Sequence, residues 1–424
     1  ITDFDTYSEL ELKASNHTYG NKTLLKEVYQ IQACECLEIK NNKIENSCFK
    51  YSYAIHKESN SDYKTLKKQA ATAFEKSFKR LIISLDKKTV IIPLSSGFDS
   101  RLIAVMLKKN NYKNVICYTY GKKESFEIET SKKVAKALGY RWYFIEYNNN
   151  LIDGYLESKN FKNYVNYAGK LSSMPNLQEY FAVKYLKEKT LIPKNAIFIP
   201  GYAGDILGGS EYTKNIPENI KHVNIARNIF EKKMKNYHFK NEEEIYIIKK
   251  IKKEIYKFDK HYDKKIPETI LDDFNIRERI AKYIFNSANF YSYFDYEFRF
   301  PFWDKELLDF FKEVPIKYKK NKTLFDDVLI NQYFKPNHVY FESENEVKTE
   351  NIYIEKIKKQ IKSFLPTFIK EKKVSDNDWN NYKIITDKML IFLKNRGVKV
   401  NRTYNDFNEI ITQWYIYISK NSTN

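Results

Sequence analysis

Thr89-Val90-Ile91-Ile92-Pro93-Leu94, then Ser95-Ser96-Gly97-Phe98-Asp99-Ser100, then Arg101-Leu102-Ile103-Ala104-Val105-Met106-Leu107: this run decides the fold. Its first six residues read as a buried strand and its last seven as a helix leaving it. A Ser/Gly loop between a strand and a helix start presents backbone N–H groups, hydroxyls and the positive end of a helix dipole. That is a cradle for phosphate or pyrophosphate. Asp99 inside it would repel phosphate unless a divalent cation sat between them. Taken alone, the segment is equally an ordinary tight βα turn, since short Ser/Gly loops are common.

Working outward, Val115–Tyr120 reads as a second strand, Glu127–Leu138 as a helix ended by Gly139, and Trp142–Tyr147 as a third strand. A helix from Tyr63 to about Ser84 precedes the first strand. Hydrophobic strands alternating with helices give the β-α-β-α-β pattern of a parallel, doubly wound α/β sheet. In such a sheet the ligand site lies at the carboxyl ends of the strands. A fourth strand, Ala196–Pro200, delivers a second glycine-containing turn, Gly201-Tyr202-Ala203-Gly204-Asp205-Ile206-Leu207-Gly208-Gly209. If both strands share one sheet, Asp99 and Asp205 face one crevice, and Mg²⁺ favours one or two carboxylates plus substrate phosphates. The alternative is that Asp205 simply caps the following helix.

The flanks read differently. Residues 1–56 are expected to be β structure with turns: Leu10 and Leu12 alternate with charges, and Asn41-Asn42-Lys43 separates strands Leu37–Lys40 and Ile44–Phe49. Beyond Gly209 the chain turns mainly helical. Glu242–Phe258 is expected to bury Ile245, Ile248, Ile251, Ile255 and Phe258, and Ile352–Phe364 is expected to form a second basic amphipathic helix, docked on the core in preference to the alternative of membrane or polyanion contact.

The chain has 424 residues, a formal charge of +19 and four cysteines (Cys34, Cys36, Cys48, Cys117). No run of apolar residues is long enough to span a membrane. The cysteines are too few for a disulfide scaffold and have no histidine at metal-ligand spacing; Cys34 and Cys36 read as structural, and a reducing, cytoplasmic location is expected. The positive charge is mostly lysine beside abundant asparagine, isoleucine, tyrosine and phenylalanine. These residues share A/T-rich codons, so base composition accounts for the charge better than a nucleic-acid partner does, and arginine is not enriched.

The loop Ser95–Ser100 resembles the pyrophosphate loop, S-G-G-x-D-S, of the PP-loop ATP pyrophosphatases, with Ser96 in place of the first glycine. Pro200–Gly209 resembles the second signature of asparagine synthetases, and Phe298-Arg299-Phe300-Pro301-Phe302-Trp303-Asp304 their R-x-P-F-L-D segment. Tyr118–Gly121, Glu127 and Val134-Ala135 match the strand and helix after their loop. Thr23–Val28 and Ala33–Ile39 resemble the closing strands of their glutaminase domain. The resemblance implies an adenine nucleotide α-hydrolase-like, PP-loop synthetase domain over residues 63–424 with a helical C-terminal part. Residues 1–62 would be a short β remnant, the tail of an Ntn-type glutaminase domain, with the chain a fragment of a longer protein.

It also implies roles. Leu94, Tyr120, Pro200 and Gly201 would line the adenosine of ATP. Ser95, Ser96, Gly97 and Ser100 would hold pyrophosphate, and Asp99 and Asp205 would bind Mg²⁺. Tyr202 stands where asparagine synthetases carry glutamate and is similar to the tyrosine of β-lactam synthetases, which works with a glutamate as a base; Glu278 is the acidic partner offered, its alternative being a solvated pair with Lys282. Lys322 and Lys348 are candidates for the lysine that relatives use in adenylation. The activity expected is an ATP-dependent carbon–nitrogen ligation forming AMP and pyrophosphate. Its partners are a small carboxylate and a nitrogen donor, ammonia (from glutamine if a glutaminase domain lies upstream) or an amine. Amidation of a sugar acid, β-lactam-type cyclisation and tRNA modification are the alternatives; nucleic acid and membrane are disfavoured as partners, and a homodimer is left open.

Overall fold

The computed structural model describes residues 3–123, 125–210, 212, 220–234, 237, 239–341, 378–400 and 407–421. The chain opens with helix α1 (Thr6–Ser15), followed by the antiparallel hairpin of β1 (Glu35–Lys40) and β2 (Lys43–Phe49). Helix α2 (Tyr63–Ser84) leads into β3 (Val90–Pro93), α3 (Phe98–Lys109), β4 (Val115–Gly121), α4 (Phe126–Leu138) and β5 (Arg141–Glu146). Helices α5 (Lys159–Gly169) and α6 (Tyr180–Glu188) precede β6 (Ile197–Phe198) and the short α7 (Gly204–Gly208). Then come α8 (Ile225–Lys233), α9 (Asn241–Phe258), α10 (Pro267–Phe274) with a π-helical continuation (Asn275–Ile284), α11 (Phe285–Ser287), α12 (Asn289–Tyr293) and strand β7 (Glu297–Phe298). The C-terminal part holds α13 (Lys305–Glu313), α14 (Ile316–Lys319), α15 (Thr323–Val328), α16 (Tyr382–Lys394) and α17 (Phe407–Asn421).

Five strands form one sheet in the order β5-β4-β3-β6-β7, every neighbouring pair parallel. The alternation within β3 explains the double winding. Val90 and Ile92 point into a core shared with α2, α3, α4, α13 and α15, whereas Ile91 points into a core shared with α5, α6, α16 and α17. With both faces covered, β3 must be apolar throughout, as its sequence is. The chain builds outward from β3 to β5, then returns to the other side of β3 for β6 and β7. The order therefore reverses between β3 and β6, and loops leaving those two strands diverge around a crevice. The expected α/β class and helical C-terminal part are what is found.

Residues 1–56 depart from the all-β expectation. The hairpin is present, but Leu10 and Leu12 lie in α1, whose start is capped by the Asp5 carboxylate bonding the Tyr7 and Ser8 amides. Residues two apart on a helix face nearly opposite ways. Leu10 accordingly joins the core under α8 and α9, while Leu12 joins the sheet core, so helical splitting mimics strand alternation. Thr23–Val28 forms no strand: within it Leu25 makes an isolated bridge to Phe4, and Lys22 and Tyr29, which flank it, bridge each other. On α9 the buried stripe is Ile247, Ile251, Glu254 and Ile255, shifted from the expected one, and Ile245 is 53% exposed. The helix expected over 352–364 and Lys348 lie outside the described residues. None of the described helices is long and apolar enough to cross a membrane.

Buried charge pins α1 to the helical part. Glu11 accepts from the Tyr19 amide (2.8 Å) and the Tyr246 hydroxyl (2.9 Å), with Lys250 paired to Glu254 nearby (2.8 Å). Burial pushes the Glu11 carboxyl up to about 7 against the pull of Lys250. A carboxyl raised on folding lends stability in full below its ordinary pKa and loses it as pH rises through the raised one. Between pH 4.5 and pH 7 the loss is on the order of 3 kcal/mol. Glu11→Gln is therefore expected to unfold in urea with a stability that falls less from pH 5 to pH 8 than the wild type's. Parallel pH profiles would contradict it.

Candidate active site

The loop after β3 is held from several directions. The Leu94 amide bonds the Tyr118 carbonyl (2.8 Å) and the Leu94 carbonyl accepts from Thr119 Oγ1 (2.7 Å), keeping the strand end in the sheet. Past it, the Ser95 amide donates to Ser100 Oγ (3.1 Å), the Gly97 amide to Ser95 Oγ (3.1 Å) and the Ser96 amide to Glu127 Oε2 (2.6 Å). Three successive N–H groups thus each meet a side-chain oxygen just before α3, where the helix dipole also favours an anion. Ser96 replaces a glycine of the S-G-G-x-D-S pattern without strain, because its φ is not positive.

The buried Arg101 fixes the loop from beneath. Its guanidinium donates to the Ser96 carbonyl (2.6 Å) and the Val339 carbonyl (2.9 Å), and lies 5.2–5.6 Å from the rings of Phe98, Phe334 and Phe341. The loop is thereby tied to the segment after α15.

The turn after β6 packs directly on this loop. Ile197 and Ile199 donate to the Thr89 and Ile91 carbonyls (both 2.9 Å), which brings Gly201 and Gly204 against Asp99. The Asp205 amide donates to Asp99 Oδ2 (2.9 Å). A Cβ on Gly201 would lie 2.8 Å from the Ser100 amide nitrogen, and one on Gly204 2.6–2.8 Å from the Asp99 carboxylate. Ala203 takes φ +69°, closing the turn. Asp205 does not cap α7; Asp99 does so from across the crevice, while Asp205 is exposed in the first turn. The simpler capping alternative is therefore replaced by a shared acidic floor.

Desolvation, then the neighbouring Asp205, raise the Asp99 carboxyl to about 7, and the Lys322 ammonium opposes this. Two carboxylates brought together in this way suit a divalent cation. Among the described residues no group of three or more His, Cys, Asp or Glu could hold a metal alone. The Asp99/Asp205 pair is a donor set of the kind Mg²⁺ takes, one or two carboxylates with phosphate and water oxygens completing the shell. Lys322, with positive φ (+59°) and Nζ 3.5 Å from Asp326, is thus the sequence candidate that falls beside Asp99.

Leu94, Tyr120, Pro200 and Gly201 stand at the carboxyl ends of β3, β4 and β6, around the mouth of the crevice. Tyr120 stacks on Tyr147 (5.0 Å) and faces Trp379 (6.1 Å). Gly121 (φ +135°) allows this, since a Cβ there would lie 2.5 Å from the Trp379 carbonyl oxygen.

Tyr202 reaches Glu179, the residue preceding α6. Its hydroxyl donates to Glu179 Oε2 (3.2 Å), while Glu179 Oε1 accepts from Tyr291 (2.9 Å) and Tyr118. Burial raises the Glu179 carboxyl, and the three tyrosine hydroxyls oppose it. Burial also lifts the Tyr202 phenol well above its ordinary range. Glu278 is not the partner of Tyr202. It is buried on the π-helical stretch, bonded to Lys282 and to the Gly20 amide (3.1 Å). Burial pushes its carboxyl up, and Lys282 and Arg277 more than offset this. Its pair with Lys282 is real but buried, not solvated.

Gly204→Ala is expected to lower nucleotide-dependent activity at least tenfold, with a smaller effect on the unfolding midpoint, because the added methyl displaces the Asp99 carboxylate. Activity assays beside thermal unfolding check this; unchanged activity would remove the contact from the site.

No protein-family model matches the chain. Over 63 residues, 14% of the chain, it is 40% identical to a 7-cyano-7-deazaguanine synthase of Sulfurihydrogenibium sp. (strain YO3AOP1), and spans 28% of that relative's length. A solved NH3-dependent NAD synthetase from Campylobacter jejuni aligns over 53% of this chain and 96% of its own, at 16% identity and a TM-score of 0.26. The sequence likeness covers less than a third of that relative and does not single out the asparagine synthetase type.

Proposed function

We propose that the chain is an ATP-dependent amide-forming ligase of the asparagine synthetase type. The observation that supports this most is the contact of both glycine turns through Asp99, Gly204 and Asp205 at the β3/β6 reversal. In this reading a substrate carboxylate oxygen attacks the α-phosphorus of ATP, the bond to the β,γ-phosphates breaks, and an acyl-adenylate and pyrophosphate result. A nitrogen nucleophile then attacks the acyl carbon, and AMP leaves with the carboxylate oxygen.

The Ser95, Ser96 and Gly97 amides, with the Ser95 and Ser100 hydroxyls, are disposed to hold the departing pyrophosphate in place of their present side-chain acceptors. Asp99 and Asp205 would hold Mg²⁺, which when bound neutralises phosphate charge. The Lys322 ammonium adds a positive charge near Asp99. Leu94, Tyr120, Pro200 and Gly201 would border the adenosine.

Tyr202 and Glu179 serve the second step. A phenol with so high a pKa stays protonated, so Tyr202 accepts a proton from the nucleophile only as it passes its own to Glu179. The raised carboxyl makes Glu179 the better acceptor. This arrangement favours an amine or ammonia held at the tyrosine, the nucleophile of amidation or of β-lactam-type cyclisation.

The test is ATP–pyrophosphate exchange with Mg²⁺ over aspartate and a panel of amino and sugar acids. Exchange that requires one acid is expected and names the carboxylate. AMP formation that requires tRNA instead would replace this reading with RNA modification.

A further inference from the structure

We infer that Cys36 and Cys48 form a dithiol site that a hydroperoxide converts to an intramolecular disulfide. The β1/β2 register sets Cys36 directly opposite Cys48, on one face of the hairpin. Opposed residues of an antiparallel pair have Cα atoms about 4.5–5.5 Å apart. That lies within the span of about 4.4–6.8 Å that a disulfide bridges without moving the backbone. Both thiols are free; Cys36 is exposed and Cys48 half-buried.

The register is held on both sides of the pair. Ser47 Oγ donates to Glu35 Oε1 (2.9 Å) diagonally across the pair, and toward the tip Lys40 bridges Glu38 (3.1 Å) and Glu45 (3.0 Å). At the base, the Lys50 amide bonds the Cys34 carbonyl (2.9 Å), and Phe49 packs on Phe258 of α9 (4.6 Å). The sulfurs are thus kept opposed rather than brought together by chance.

Reactivity is distributed unevenly among the four cysteines. Cys36 stands open to solvent and Cys48 partly so, on the same face of the hairpin. Cys34, by contrast, has its thiol pushed up by partial burial and by Asp273, and Cys117 is buried in the sheet. The Cys48 thiolate attacks the peroxide oxygen, cleaving the O–O bond and giving a sulfenic acid and, after protonation, water or an alcohol. Cys36 then attacks that sulfur, forming the S–S bond and releasing water. Two thiols lose two electrons and two protons, and the peroxide is reduced.

The test treats the reduced full chain with hydrogen peroxide and follows intact mass and peptide mapping. A loss of about 2 Da, two hydrogens, is expected, mapping to Cys36–Cys48. Cys36→Ser and Cys48→Ser should each abolish it, and Cys34→Ser should leave its rate unchanged. A bridge through Cys34, mass gain by over-oxidation alone, or no change at peroxide levels that oxidise free cysteine would each overturn the assignment.

Discussion

Asp99→Asn is expected to lower Mg²⁺-dependent ATP–pyrophosphate exchange by roughly a thousandfold, the scale of losing a principal electrostatic contact in a dry site. Asparagine keeps the shape of aspartate and an oxygen that can accept from the Asp205 amide, so the cap of α7 persists. It removes the repulsion between Asp99 and Asp205 that, with desolvation, raises the Asp99 carboxyl to about 7. In the folded chain without metal, Asp99 carries its proton below that pH, and its stabilising contribution is lost as pH rises through it. At pH 8 without Mg²⁺ the variant should therefore unfold no earlier than the wild type. Metal binding needs the deprotonated carboxylate, so the wild type's apparent Mg²⁺ affinity should climb up to about pH 7 and then level. Asp205→Asn should match Asp99→Asn in activity, and the double variant should be little worse, because the two act as a unit. Exchange rates, with thermal unfolding at pH 8, decide the matter; activity within tenfold of wild type in either variant would remove the acidic floor from the chemistry.

Tyr202→Phe is expected to separate the two chemical steps. Exchange should persist within a few fold, because the ring and its packing on Phe300 (5.9 Å) remain. Amide formation should fall by roughly 10²–10⁴, the usual contribution of a positioned proton acceptor. Glu179 would keep the Tyr118 and Tyr291 hydroxyls, so its desolvated carboxylate loses one donor of three, at a cost of about 1–3 kcal/mol in stability. Single-turnover measurement of AMP release against amide product gives the answer. Equal losses in both steps, or none, would leave Tyr202 as a wall of the crevice. Glu179→Gln should reproduce the step-specific loss, and Glu278→Gln should not, since Glu278 is bound to Lys282 and Gly20.

Much of the sheet was legible because its signals are local. A strand buried on both faces reads as a continuous apolar run, and Gly139 stops α4 as its αL conformation requires. Helix α2 falls where the polar break and apolar spacing put it, with Asp62 capping its start. Both glycine turns were legible for the same reason. Glu179 was not, since one glutamate before an apolar helix looks like any solvated helix start. Only the tertiary approach of Tyr118, Tyr202 and Tyr291 makes it a buried acceptor. Glu278 misled in the opposite way: its i+4 lysine marks a pair, but nothing local shows that Gly20 closes over it. Arg101 was read only as the first residue of a helix, and nothing local shows that it is wholly buried.

The reversal between β3 and β6 joins Asp99 to the Asp205 amide across 106 residues of chain. While the polypeptide is being made, the first turn emerges long before the second, so a growing chain carries half of the acidic floor and none of its opposite wall. Insertion of β6 beside β3 is a long-range pairing, among the slower events of folding. A crevice with both walls thus arrives only with closure of the sheet, and a partly assembled chain lacks it whatever ligand the finished site takes.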